Sequence, residues 1–148
     1  MTLALARSGT VEGGVHRLLT TVYYEDTDAA GIVYYANYLK FAERGRTELM
    51  RLVGFGHERL RREQGLAFAV RRCLADYRGA ARLDDELVVE TRLTALGGAS
   101  LDLEQTVCRD GETLVRMDVK VACLGPGLRP ARLPQPLRAA LARMMQPF

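Results

Sequence analysis

The chain has 148 residues, 48% of them hydrophobic and 26% charged, with 21 Lys and Arg against 18 Asp and Glu for a net charge of +3. That size builds one ordinary domain and is too short for two typical ones, and the mixed charges and apolar content exclude intrinsic disorder. The small, scattered positive charge gives no reason to expect nucleic acid as a partner, and no apolar run reaches the roughly 18 residues needed to cross a bilayer, so membrane insertion is not expected.

Residues 1–14, with Gly9, Gly13 and Gly14, read as a flexible lead-in without the basic start or sustained apolar core of a signal peptide. The apolar and β-branched run Val15 to Tyr24 predicts the first strand. Glu25-Asp26-Thr27-Asp28-Ala29-Ala30-Gly31 then favours turn conformations.

From Tyr38 onward, Tyr38, Ala42, Gly45, Leu49, Leu52 and Val53 recur at helical spacing, with Asn37 as the expected N-cap and Gly54 as the stop. The helix should be about 25 Å long at 1.5 Å per residue. Its polar face offers Arg44 and Glu48 as an i,i+4 ion pair. Gly45 at mid-helix predicts close approach by another backbone.

A short helix is expected at His57 to Gln64, followed by strands at Leu66 to Tyr77, Glu86 to Leu96, Ser100 to Arg109 and Glu112 to Leu124. Asp110-Gly111 is a strong two-residue hairpin signal, so the last three strands should form an antiparallel meander. After the Gly- and Pro-rich stretch 125–136, Leu137, Leu141 and Met144 or Met145 predict a short final helix. Residues 15–148 thus form a single α+β domain, one long helix against an antiparallel sheet.

Cys73, Cys108 and Cys123 lie in predicted strands without a CxxC pair, which predicts buried free thiols, no metal site and a reducing, cytoplasmic location.

The run Tyr23 to Tyr38, followed by Phe41-Ala42-Glu43-Arg44-Gly45-Arg46-Thr47-Glu48, resembles the signature of the 4-hydroxybenzoyl-CoA thioesterase family. Within that family it is most similar to the bacterial acyl-CoA thioesterases associated with the Tol-Pal envelope system, through Phe68 to Arg72, Ala81 to Asp85 and Ser100-Leu101. The resemblance spans roughly Val15 to Pro134. It implies a hotdog fold, in which the sheet wraps around the long helix, and a homodimer or homotetramer whose sheets join edge to edge with the active site between subunits. An acyl-CoA would be the substrate, and coenzyme A would enter as part of it rather than as a cofactor. An acyl carrier protein or an envelope-system component is a further possible partner.

Thioester hydrolysis needs a group that delivers a nucleophile and a donor that stabilises the oxyanion. By resemblance, Asp28 falls on the catalytic aspartate, either as general base or as nucleophile, and the Tyr35 backbone N–H falls on the donor that polarises the carbonyl. Tyr24 matches the tyrosine of the Tol-Pal-associated enzymes, whereas Tyr35 stands where those enzymes carry histidine. Read without the resemblance, Asp28 would serve an Asx turn or a helix cap; Asp26, two residues earlier, is the rival carboxylate and is read as ordering the loop. For the coenzyme A phosphates and pantetheine arm the candidates are Arg71, Arg72, Arg129 and Arg132, together with the backbone at Gly98 to Ser100. A non-catalytic binding module is the alternative reading. A hotdog dehydratase would need a histidine paired with a carboxylate, and His16 and His57 both lie outside the motif.

Overall fold

The computed structural model describes residues 7–145. Six antiparallel strands form one sheet in the order β1-β2-β4-β5-β6-β3. They are β1 (Thr10–Glu12), β2 (Val15–Thr21), β3 (Ala67–Tyr77), β4 (Glu86–Leu96), β5 (Ser100–Arg109) and β6 (Glu112–Leu124). The helices are α1 (Asn37–Leu52), α2 (His57–Gln64) and α3 (Gln135–Met144). This is the expected α+β hotdog arrangement, with α1 against the inner face of the sheet. The meander β4-β5-β6 is as expected, and Asp110 and Gly111 both take positive φ, 50° and 80°, in its tight second turn.

Period-two alternation puts Leu87, Val89 and Leu93 of β4, Leu101, Leu103 and Val107 of β5, and Val115, Met117, Val119 and Val121 of β6 in the core with Phe41, Ala42 and Met50 of α1. One inward row is polar. His16 pairs with Thr91, Thr91 with Gln105, and Gln105 with Met117 across β2, β4, β5 and β6. The first three are fully buried. Gln105 Nε2 donates to the Ala42 carbonyl and to Thr91 Oγ1, both at 2.9 Å, and its Oε1 accepts from Arg46 at 2.9 Å, so this core amide has its partners.

Gly45 lies over this row. A Cβ there would come within 2.9 Å of Val89 Cγ1, 3.2 Å of Thr91 Oγ1 and 3.3 Å of Gln105 Nε2. The close approach is therefore real but is made by sheet side chains, not by the backbone expected from sequence. Gly45→Ala is expected to cost about 1–3 kcal/mol in overpacking, against a helix-propensity gain of at most about 1 kcal/mol. The urea midpoint should fall; a raised midpoint would mean that the three side chains move aside freely.

Several local expectations are corrected. Thr10–Glu12, within the expected lead-in, pairs with Val15 to Arg17 through a turn at Gly13 and Gly14, both at positive φ; residues 1–6 lie outside the described residues. β2 stops at Thr21, because Tyr24–Asp26 form a single 3-10 turn. Glu48 pairs with Arg51 and accepts from Ser8 Oγ at 2.9 Å, while Arg44 sits 5.7 Å above the Phe41 ring. Cys108 and Cys123 are buried, but Cys73 is exposed, because β3 is an outer strand with no further strand paired to it among the described residues. His16 donates from Nε2 to the Ser8 carbonyl at 2.6 Å, and burial holds its pKa below the usual imidazole value.

The two sheet edges differ. β1 is three residues long, whereas β3 runs for eleven and leaves Val70, Leu74 and Tyr77 substantially exposed. Its pairing with β6 skips Arg71, a bulge that switches the inward set from Phe68 and Val70 to Cys73, Ala75 and Tyr77.

Candidate active site

Asp28 opens a tight turn. The Gly31 N–H donates to the Asp28 carbonyl at 3.0 Å, the Ala30 N–H donates to Asp28 Oδ1 at 2.9 Å, and Gly31 takes φ 80°. The ordinary Asx-turn role is thus fulfilled, and it has a chemical consequence: one carboxylate oxygen is held by the main chain, which orients the other. The side chain is exposed, and Oδ2 has no protein partner among the described residues. The turn is closed by Asp28 N–H to the Ile32 carbonyl at 2.9 Å and by a Thr27–Val33 bridge.

The chain then turns directly into α1. The Asn37 N–H donates to the Tyr34 carbonyl at 2.8 Å, and the Tyr34 N–H to the Asp26 carbonyl at 2.9 Å. Between these two donors, the Tyr35 and Ala36 N–H groups meet no protein acceptor among the described residues. Free N–H groups at the positive end of a helix are suited to an oxyanion. Asn37 is not the expected N-cap. Ala36 holds that place without a side-chain cap, and Asn37 is the first helical residue, its Nδ2 donating instead to the Asp26 carbonyl at 2.9 Å. Asp26 is itself buried and orders the loop, its Oδ2 accepting the Tyr23 N–H at 2.8 Å.

Around this turn the aromatics divide. Tyr38 is buried, its hydroxyl accepting the Ala81 N–H at 2.9 Å, and burial pushes its pKa above the usual phenol value. Tyr35 is 60% exposed and packs edge-on against Tyr77 at 5.8 Å and Tyr34 at 5.1 Å, so the end of β3 adjoins the turn. Tyr24 is 83% exposed and its hydroxyl makes no hydrogen bond within the described chain. From Leu39 onward a groove of about 170 Å³ runs between α1 and β3, bordered by Glu43, Arg46, Val70 and Cys73 and floored by Met117 and Val119. Arg46 and Phe68 lead on to a small apolar hollow of about 40 Å³ among Met50, Leu101 and Leu141.

A carboxylate turn followed by free helix-terminal N–H groups and an apolar groove is an arrangement suited to attack on an acyl carbonyl. Residues 30–116, more than half of the chain, match the family model described as "Thioesterase superfamily". The chain belongs to this superfamily. It is 47% identical over 120 residues to the protein named acyl-CoA thioesterase YbgC of Haemophilus influenzae, covering 80% of this chain and 88% of that one. A solved structure of a probable thioesterase from Bartonella henselae is 36% identical, covers 81% of this chain and 99% of its own, and superposes with TM-score 0.79. A thioesterase from Thermus thermophilus solved with coenzyme A and zinc is 29% identical over 93% of this chain and all of its own, with TM-score 0.77.

In this thioesterase the remaining candidate residues do not gather around Asp28. Asp28 and Tyr35 lie at the end of the sheet where β3 finishes and β4 begins, tied there by Val33 N–H to the Ala81 carbonyl and by an Ile32–Arg82 bridge. Gly98 and Ser100 lie at the far end of β4. That strand has eleven residues, about 35 Å at 3.3 Å each. Arg129 and Arg132 are at the same far end, where the Gly125 N–H donates to the Arg129 carbonyl and the Leu133 N–H to the Gly98 carbonyl. Arg71 and Arg72 are exposed near the middle of β3. Among the described residues no group of three or more His, Cys, Asp or Glu is placed to hold a metal ion, and no helix is long and apolar enough to cross a membrane. His16 and His57 lie away from the turn, on β2 and at the start of α2.

Proposed function

We propose that this thioesterase hydrolyses acyl-CoA thioesters to the free acid and coenzyme A, without a resident cofactor. The observation that carries the reading is a carboxylate with one oxygen fixed by Ala30 N–H and the other free, followed within the same loop by the unengaged Tyr35 N–H. The acyl-CoA thioesterase name of the Haemophilus influenzae relative and the coenzyme A bound to the Thermus thermophilus one point to the same substrate class.

In the general-base route the free Asp28 oxygen takes a proton from water as the water oxygen attacks the carbonyl. The oxyanion is stabilised by the Tyr35 N–H and collapses with loss of the coenzyme A thiolate, which is protonated on release. In the nucleophilic route Asp28 attacks first, expels the thiolate and forms an anhydride that water then cleaves. A single turnover in ¹⁸O-water that leaves label in Asp28 establishes the nucleophilic route, since only hydrolysis of an anhydride at the protein carbonyl can place it there. The acyl group extends from the Tyr35 N–H into the groove between α1 and β3.

The protein acts as a homodimer joined along β3. An eleven-residue edge strand with exposed Val70 and Leu74 is a surface that native sheets usually pair or cover. Antiparallel pairing of two β3 strands about a two-fold axis would bring the start of one strand beside the end of the other. The partner subunit's Gly98–Ser100 turn and its Arg129 and Arg132 would then approach Asp28, and the coenzyme A phosphates would meet cationic and N–H donors there.

Thiol release from benzoyl, short-chain and long-chain acyl-CoAs tests the activity, with turnover expected for at least one class; tight binding of all three with hydrolysis of none would instead establish a binding module. Tyr35→Phe is expected to stay within about tenfold of the parent kcat, because the contribution is from the main chain, whereas losing an oxyanion donor costs about 10²–10³-fold. A loss of the latter size would assign the work to the phenol hydroxyl.

A further inference from the structure

We infer that Asn37 is a positioning residue for hydrolysis, a side-chain clamp that fixes the Asp28 turn relative to the Tyr35 N–H. This rests on the roles proposed above for Asp28 and Tyr35. Asn37 is buried at the first position of α1, where a polar amide is not needed for helix formation and no capping bond is made. Its Nδ2 reaches back eleven residues to the Asp26 carbonyl at 2.9 Å. That carbonyl also accepts the Tyr34 N–H at 2.9 Å, so one oxygen holds both the residue before Tyr35 and the first residue of the helix. Asp26 in turn lies two residues before Asp28, and its own carboxylate is committed to the Tyr23 N–H.

The two reacting elements are therefore referred to one atom. The Asp28 turn hangs from the Asp26 peptide on one side, and the Tyr35 N–H is carried between Tyr34 and Asn37 on the other. Without the amide, the Asp26 carbonyl keeps the Tyr34 N–H and is not left unpaired, so the fold survives. What is lost is the side-chain tie from the first residue of α1 to the Asp26 peptide, which acts beside the main-chain closures from Asp28 N–H to Ile32 and from Thr27 to Val33. A displacement of about 1 Å between a catalytic group and the reacting carbonyl can cost about 10²-fold in rate without a comparable change in binding.

The test uses Asn37→Leu, which fills the site without a donor, and Asn37→Ala, which relieves any overpacking by leucine. Both are measured for kcat, KM and the affinity of a non-hydrolysable thioether analogue of the best acyl-CoA substrate, with circular dichroism confirming the fold. We expect kcat to fall about 10²-fold while analogue affinity stays within about threefold. Turnover within about threefold of the parent in either folded variant overturns the clamp, as does a loss of analogue affinity as large as the loss of kcat, which is the mark of a packing role. Asp28→Asn measured in parallel separates the two levels. If it hydrolyses as fast as the parent, the active-site reading falls and takes the clamp with it. An inactive Asp28→Asn beside fully active Asn37 variants removes the clamp alone.

Discussion

Asp28→Asn is expected to lower kcat by about 10³-fold or more while leaving the fold and acyl-CoA binding close to those of the parent. The size follows from either proposed route, since the amide neither accepts the water proton at neutral pH nor attacks a thioester. The fold should survive because the amide oxygen can still accept the Ala30 N–H that Oδ1 now holds at 2.9 Å, and the exposed side chain makes no other bond within the described chain. The turn closures from Asp28 N–H to Ile32 and from Gly31 N–H to Asp28 are main-chain bonds that the substitution does not touch. A steady-state assay with a thermal melt decides the matter: hydrolysis at the parental rate rules Asp28 out, and a large drop in melting temperature would show that the carboxylate is structural.

Converting the outer face of β3 with Leu74→Lys and Asp76→Lys is expected to give a monomer with kcat/KM lowered by about 10²-fold or more. Leu74 is 68% exposed and Asp76 is exposed, and both alternate with the inward Cys73, Ala75 and Tyr77, so the groove lining is unchanged. Beside the existing Arg72, two added lysines would set like charges across any β3 to β3 junction, the device by which natural edge strands resist pairing. Sedimentation of the parent should give a dimer. A monomeric variant with full activity would show that one chain holds a complete site, and Gly98, Ser100, Arg129 and Arg132 would then have no route to Asp28.

Much of the fold was legible because the signals were local. The boundaries of β4, β5 and β6 followed from the turn signals that bound them, Asp110-Gly111 above all, and α1 from the spacing of Tyr38 to Val53. The misreadings arose where a distant partner replaced a local one. Asn37 had the right type and place for a cap, yet the Asp26 carbonyl was the better acceptor once the loop folded back. Arg44 and Glu48 had ion-pair spacing, but Phe41, Arg51 and Ser8 took them instead. Gln105 and Thr91 carried a signal that went unread: both occupy inward positions of otherwise apolar strands, and a polar residue at such a position demands a buried partner.

Sequence by itself determined the class of fold, the family and the turn that bears Asp28, because each rests on residue types at fixed short spacings. Tertiary structure alone decided that Asp28 keeps one oxygen free and that the Tyr35 N–H goes unengaged, since hydrogen-bond saturation depends on which acceptors the folded chain brings near. It also separated Asp28 from Gly98 and the two distal arginines by the length of β4. Strand direction sets that distance, and no spacing along the sequence encodes it.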